Sequence, residues 1–165
     1  MWVVPTTGDR KPFPFLKTEF NETFAEFSPD GRWVAYTSDE SGKPEVYVQS
    51  FPASAGKWKI SANGGALPRW RKDGKEVFFI SMDRKLWSVD VKAGTSTFEA
   101  SVPKLLFETR IRAVGSTANS YLPYDVSADR RRFVITTVPG DATFAEPITV
   151  VLNWLEDLKQ RVPVK

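Results

Sequence analysis

The chain has 165 residues, 41% of them hydrophobic, and 23 basic against 20 acidic side chains leave a net charge of +3. That is a globular composition with room for a real core, and its charge excess is too small to argue for nucleic acid. Histidine and cysteine are both absent, which excludes, within this chain, disulfides, imidazole-based triads and the usual zinc sites. Carboxylate-only catalysis and an oxygen-ligand cation such as calcium stay open.

The first residues, MWVVPTTGDRKP, lack the basic start and apolar stretch of a secretion signal, and no apolar run is long enough to span a bilayer. The chain is expected to be soluble as it stands, in the cytoplasm or, within a longer parent, outside it. MWVVPT (1–6) reads as a strand and aligns with VYVQSF (46–51) and LWSVDV (86–91). PFPFLK (12–17) then stands where the next strand belongs.

From residue 22 the pattern repeats. FSPDGR (27–32) is matched by WRKDGK (70–75) and by VSADRR (126–131), with Asp30, Asp73 and Asp129 spaced 43 and 56 residues apart. In the first two copies, Asp and Gly in these segments are turn chemistry. Arg130 replaces that glycine in the third. Behind each turn comes a strand rich in β-branched and aromatic residues: WVAYTS (33–38), EVFFIS (76–81) and RFVITT (132–137). A third strand follows in each copy, at EVYVQ (45–49), KLWSVDV (85–91) and PITVVL (147–152), and an outer fourth is legible at KWKIS (57–61) and PKLLFE (103–108).

Four short strands per unit of about 45 residues is the signature of a β-propeller blade. The expected fold is all-β, a partial β-propeller of four-stranded antiparallel blades in a single domain. It holds a half-blade (1–18), two full blades (22–61 and 62–108), an incomplete last blade (120–153) and a short carboxyl-terminal helix (154–162). Trp154, Leu155 and Leu158 have the spacing of one helical face, which Pro163 ends.

Ser28-Pro29-Asp30-Gly31, with Trp33-Val34-Ala35-Tyr36 and the degenerate copies at 70–81 and 126–137, resembles the TolB-type, WD40-like propeller repeat, also called PD40 after its Pro-Asp-Gly core. Asn63-Gly64-Gly65 ahead of Pro68-Arg69-Trp70 is similar to the loop that leads into such blades. The ending PITVVLNW resembles the carboxyl end of propellers attached to some bacterial serine/threonine kinases, although no kinase motif is present. Related propellers also cap peptidases of the prolyl oligopeptidase class, yet this chain has no nucleophile elbow. The resemblance therefore implies a non-catalytic binding propeller without a cofactor.

Blades create a core only by stacking. Val34, Tyr36, Val77, Phe79, Phe133 and Ile135 occupy aligned positions on the second strands and should face one neighbouring blade. Two full and two partial blades leave open faces, so either a longer parent or a ring of more than one chain is expected, a two-fold dimer being the simplest closure.

Just ahead of the Phe27, Trp70 and Val126 anchors stand Glu26, Arg69 and Asp125. These inner-strand charges either hold a polar ligand or cation at the channel mouth, or pair across blades, Glu26 with Arg69 and Arg69 with Asp125. Their alternating sign favours pairing. Arg32, Arg71, Lys72, Lys75, Arg130, Arg131 and Arg132 sit at the turns between first and second strands, which should share one face. That face is either solvated or meets an anionic partner. The turn aspartates read as caps, not calcium ligands, and Trp33, Trp58, Trp70, Trp87 and Phe78 read as core rather than sugar-stacking platforms.

The long tract from Ile111 to Leu122 should lie beside Asn63 on the opposite face, making Ser116, Asn119, Tyr121 and Asn63 the candidate ligand or partner contacts. The leading expectation is a protein- or ligand-binding module, a sensor portion of a larger bacterial protein. Its rivals are a substrate-gating propeller for a catalytic domain elsewhere and a carbohydrate-binding propeller.

Overall fold

A computed structural model describes residues 1–54, 56–95, 97–111, 122–127 and 132–137, and these contain strands and turns but no helix. The turn at 128–131, the tract at 112–121, the strand expected at 147–152 and the tail helix at 154–162 lie outside the described residues.

The strands run in chain order as antiparallel sheets. β1 (Trp2–Val3) pairs with β2 (Phe13–Pro14), and the amino terminus donates to the Leu16 carbonyl at 2.7 Å. β3 (Glu22–Phe27), β4 (Trp33–Ser38), β5 (Glu45–Ser50) and β6 (Lys57–Lys59) form a four-stranded sheet in that order. The next sheet contains β7 (Ala66–Trp70), β8 (Glu76–Ile80) and β9 (Lys85–Ala93). The outer edge of β9 carries two strands, β11 (Lys104–Glu108) along its first half and β10 (Phe98–Ala100) along its last residues. β12 (Tyr124–Val126) pairs with β13 (Phe133–Ile135). Consecutive strands joined by turns, inner to outer, are propeller blades.

Local chemistry accounts for the turns. Asp30 Oδ1 accepts from Ser28 Oγ at 2.6 Å and from the Arg32 N–H at 3.1 Å, while Gly31 supplies a φ of 71°. Asp73 Oδ1 accepts the Lys75 N–H at 3.2 Å and Gly74 again has a φ of 71°. The aspartates cap the turns, and the glycines take the left-handed backbone that a side chain would strain.

Strand alternation then sends side chains to two faces. Val34 and Tyr36 pack with Tyr47 against Met1, Phe15 and Leu16 of the half-blade. Val77 and Phe79 join Trp33, Ala35, Val46 and Val48 in the seam between the two full blades. Phe133 and Ile135 pack against Phe78, Ile80 and Leu86 in the next seam. The aligned second-strand positions thus all face the preceding blade, and the residues between them face the following one.

The inner strands carry an irregularity that repeats. In β3 the register shifts between Thr23 and Glu26, and in β7 between Ala66 and Arg69. Phe24 and Leu67, at aligned positions inside these bulges, have φ of 53° and 60°. A bulky residue in that region is uncommon and costs on the order of 1 kcal/mol. The pairing of β12 with β13 runs without a shift from Tyr124 to Val126, and the aligned position there is Pro123, whose ring forbids positive φ.

Candidate functional site

The bulges free backbone groups from the ladder, and these link three blades. The Leu67 N–H donates to Thr37 Oγ1 of the first blade at 3.2 Å, and the Leu67 carbonyl accepts the Tyr124 hydroxyl of the last at 2.7 Å. Burial pushes the Tyr124 phenol well above its ordinary pKa, so it stays a neutral donor.

Around this link lie the inner-strand charges. Glu26 Oε1 stands 3.4 Å from Arg69 Nη1, and Glu26 Oε2 accepts the Trp70 N–H at 3.1 Å. The pairing expected across the first seam is therefore present, with both side chains half-buried. The expected second pair is not: among the described residues Arg69 and Asp125 form no ion pair. Asp125 is exposed, and its Oδ1 accepts the neighbouring Val126 N–H at 2.9 Å. Arg69 is already engaged by Glu26, and Asp125 leaves an unshifted strand where Glu26 and Arg69 leave bulged ones. The Nε–H of Arg69 is buried without a partner.

Burial pushes the Glu26 carboxyl above the usual range near 4.5, against the opposing pull of the Arg69 guanidinium and the Trp70 N–H, while the Asp125 charge adds to the rise. A carboxyl with a higher pKa folded than unfolded contributes stability fully present below the unfolded value and lost as pH rises through the folded one. Glu26→Gln keeps the shape and removes the titration. The variant is expected to be at least as stable as the parent at neutral pH, with the parent catching up as the solution is acidified towards 4.5. Urea unfolding across that range reads this directly, and a variant that loses stability only at neutral pH contradicts it.

At the far end of the sheets from the Asp30 and Asp73 turns, Asn63 is exposed and lines a small cleft of about 280 Å³ with Gly64, Met82, Asp83 and Trp87. Trp87 stacks on Phe79 at 6.5 Å and 7°, and its indole N–H donates to Ser81 Oγ at 3.0 Å. Ser116, Asn119 and Tyr121 fall outside the described residues.

The aromatics expected to be core are so placed. Trp33, Trp70 and Phe78 are buried, while Trp58 and Trp87 are half-buried against the cluster that holds Trp33 and Trp70. The basic turns are partly neutralised. Arg71 binds Asp73 and Glu76 at 2.5 and 2.6 Å, and Arg32 Nε lies 3.9 Å from Asp30. No group of three or more carboxylates among the described residues could hold a metal ion.

No protein-family model matches the chain, and no curated protein matches it. Among solved structures, TolB from Acinetobacter baumannii superposes with a TM-score of 0.50 and 21% identity, over 62% of this chain and 25% of that one. The fold is a TolB-type β-propeller. A TolB-type protein from Agrobacterium tumefaciens matches with a TM-score of 0.44 and 19% identity, over 59% of this chain and 39% of that one. The aligned part thus spans a quarter of the Acinetobacter structure. In this TolB-type propeller the Asp-Gly turns, the paired inner-strand charges and the Asn63 cleft are all products of the blade geometry.

Proposed function

We propose that this chain is a non-catalytic propeller module of a larger bacterial assembly, binding a protein or small ligand and completing its ring with blades from a second copy. The absence of histidine and cysteine argues against most acyl-transfer and metal-assisted chemistry in the chain itself. One comparison carries the ring-closure reading. Ala35, Phe78 and Val134 are aligned, and the first two pack against the following blade. The first two are 0% and 3% exposed, whereas Val134 is 76% exposed. At the other extreme, Trp2 and Val4 of the half-blade are 64% and 62% exposed.

An uncovered apolar position where its two homologues are covered favours a further blade over it. Contact of one end with the opposite end of a partner copy, made twice, closes a two-fold ring. Light scattering on the purified chain is expected to give twice the mass of one chain, and Val134→Lys a single chain. Val134 is already exposed, so the substitution leaves the fold intact. A parent protein that stays a monodisperse monomer at high concentration removes the ring-closure reading.

A further inference from the structure

Three glycines in the sequence follow an aspartate or an asparagine, at Asp30-Gly31, Asp73-Gly74 and Asn63-Gly64. In such a pair the backbone nitrogen can attack the preceding side-chain carbonyl, because glycine puts no Cβ in the way. The fold treats the three sites differently. At the two blade turns both partners are tied down. The Gly31 N–H donates to the Ser28 carbonyl and the Gly74 N–H to the Arg71 carbonyl, each at 2.8 Å. Asp30 Oδ1 accepts from Ser28 Oγ and the Arg32 N–H, and the Arg71 guanidinium holds Asp73 at 2.5 and 2.9 Å.

At Asn63-Gly64 neither partner is held. Asn63 is exposed, and among the described residues its amide makes no hydrogen bond. The Gly64 N–H is buried, yet it donates to no acceptor among those residues. Backbone hydrogen bonding resumes one residue on, where the Gly65 N–H reaches the Pro44 carbonyl. Asn21, the other asparagine described, donates its amide to Asp39 at 2.6 Å and precedes a glutamate.

We propose that Asn63 is a site of self-catalysed modification, closing on Gly64 to a succinimide that opens to aspartate and isoaspartate. The Gly64 nitrogen bonds to Asn63 Cγ and gives up its proton, and the Cγ–Nδ2 bond breaks to release ammonia. Water then opens the five-membered ring. Breaking its nitrogen–Cγ bond leaves aspartate in an ordinary backbone. Breaking its bond from nitrogen to the main-chain carbonyl leaves isoaspartate, with one extra methylene in the chain. Nothing is oxidised or reduced, and no cofactor enters.

The effect falls on the cleft of about 280 Å³ that Asn63 and Gly64 line. A neutral amide becomes a carboxylate on the same rim as Asp83, whose own charge is paired with Lys85 at 2.7 Å. No cation lines the cleft among the described residues to offset the new charge. The isoaspartate methylene cannot be absorbed at Gly65, which Phe79 and Ser61 enclose, so it displaces exposed Ala62 and residue 63 outward. Loss of ammonia makes the change one-way. Every residue involved lies within one chain, so the claim is independent of ring closure.

Incubating the full chain at mildly alkaline pH, followed by peptide mapping with mass spectrometry, tests it. The peptide holding residue 63 should gain the mass difference between an amide and an acid. It should also split into two chromatographic peaks of equal mass, aspartate and isoaspartate. Asn63→Gln keeps an exposed amide but needs a six-membered ring, so its peptide should stay unchanged. Unfolding the parent in urea should speed conversion at Asn63 by less than about tenfold, the margin expected where little local order has to open. Four outcomes would each overturn the proposal: an unchanged residue-63 peptide in the folded chain, equal conversion in Asn63→Gln, a larger acceleration on unfolding, or isoaspartate forming as fast at Asp30 or Asp73 in the folded chain.

Discussion

Trp33→Ala is expected to be the most damaging single substitution in the described part of the chain. Trp33 is 0% exposed and stands at the seam between the two full blades. Its ring meets Trp58 edge-on at 5.5 Å and Phe98 at 5.2 Å, and its N–H reaches the Gly94 carbonyl. Removing a buried Trp costs about 3–5 kcal/mol through lost transfer energy and the cavity left behind. A domain has only about 5–15 kcal/mol in total, so the variant should unfold roughly 6–20 °C lower, on the scale of 2–4 °C per kcal/mol for a chain this size. Trp33→Phe is the milder change: it fills most of the space and loses the hydrogen bond and part of the ring contact, so its melting temperature should fall far less. A thermal melt in which Trp33→Ala moves by only a degree or two would show that this seam carries little of the stability.

The same seam shows what could be read from residues alone. The alternation Trp33-Val34-Ala35-Tyr36 already assigns two faces, because a strand turns successive side chains to opposite sides. The Asp and Gly of two turns specify their own hydrogen bonds and backbone angle. Both features are local, and both survive copying from blade to blade. The hairpin at Phe98 does not. LysAlaGlyThrSerThr (92–97) reads as loop chemistry, and a strand of Phe98–Ala100 is too short to show a period. What holds it is a cross-seam contact with Trp33 and Trp58, invisible to any window along the chain.

The bulges at Phe24 and Leu67 were hidden for a related reason. Positive φ is signalled by glycine or asparagine, and here tertiary bonds to Thr37 and Tyr124 hold a large side chain in that conformation around Leu67. The inner-strand charges fall between these cases. Equal spacing predicted equal presentation, which held for Glu26 and Arg69 on two bulged strands. It failed for Asp125, where Pro123 keeps the strand regular. Periodicity thus located the inner-strand charges, while their geometry depended on a backbone detail that only two of the three copies share.

Gly65→Ala is the second substitution expected to act strongly, and its argument is one of space. Gly65 closes the connector into β7, and its N–H donates to the Pro44 carbonyl at 2.9 Å. A Cβ added there would lie 2.8 Å from a Phe79 ring carbon and 2.9 Å from the Ser61 Cβ. Neither neighbour can retreat. Phe79 is 2% exposed and stacked on Trp87. Ser61 Oγ accepts the Val46 N–H at 2.8 Å and donates to the fully buried Glu45 carboxylate. The strain must therefore pass into the backbone, at about 1–3 kcal/mol for overpacking a fixed core. It would also shift Asn63 and Gly64, which line the small cleft. Shrinking the ring in Phe79→Leu gives the methyl group room, so the double variant should be more stable than the sum of the two single losses predicts. Chemical unfolding of all four proteins measures that coupling. Strictly additive losses would mean that the Phe79 ring is not what excludes a side chain at Gly65.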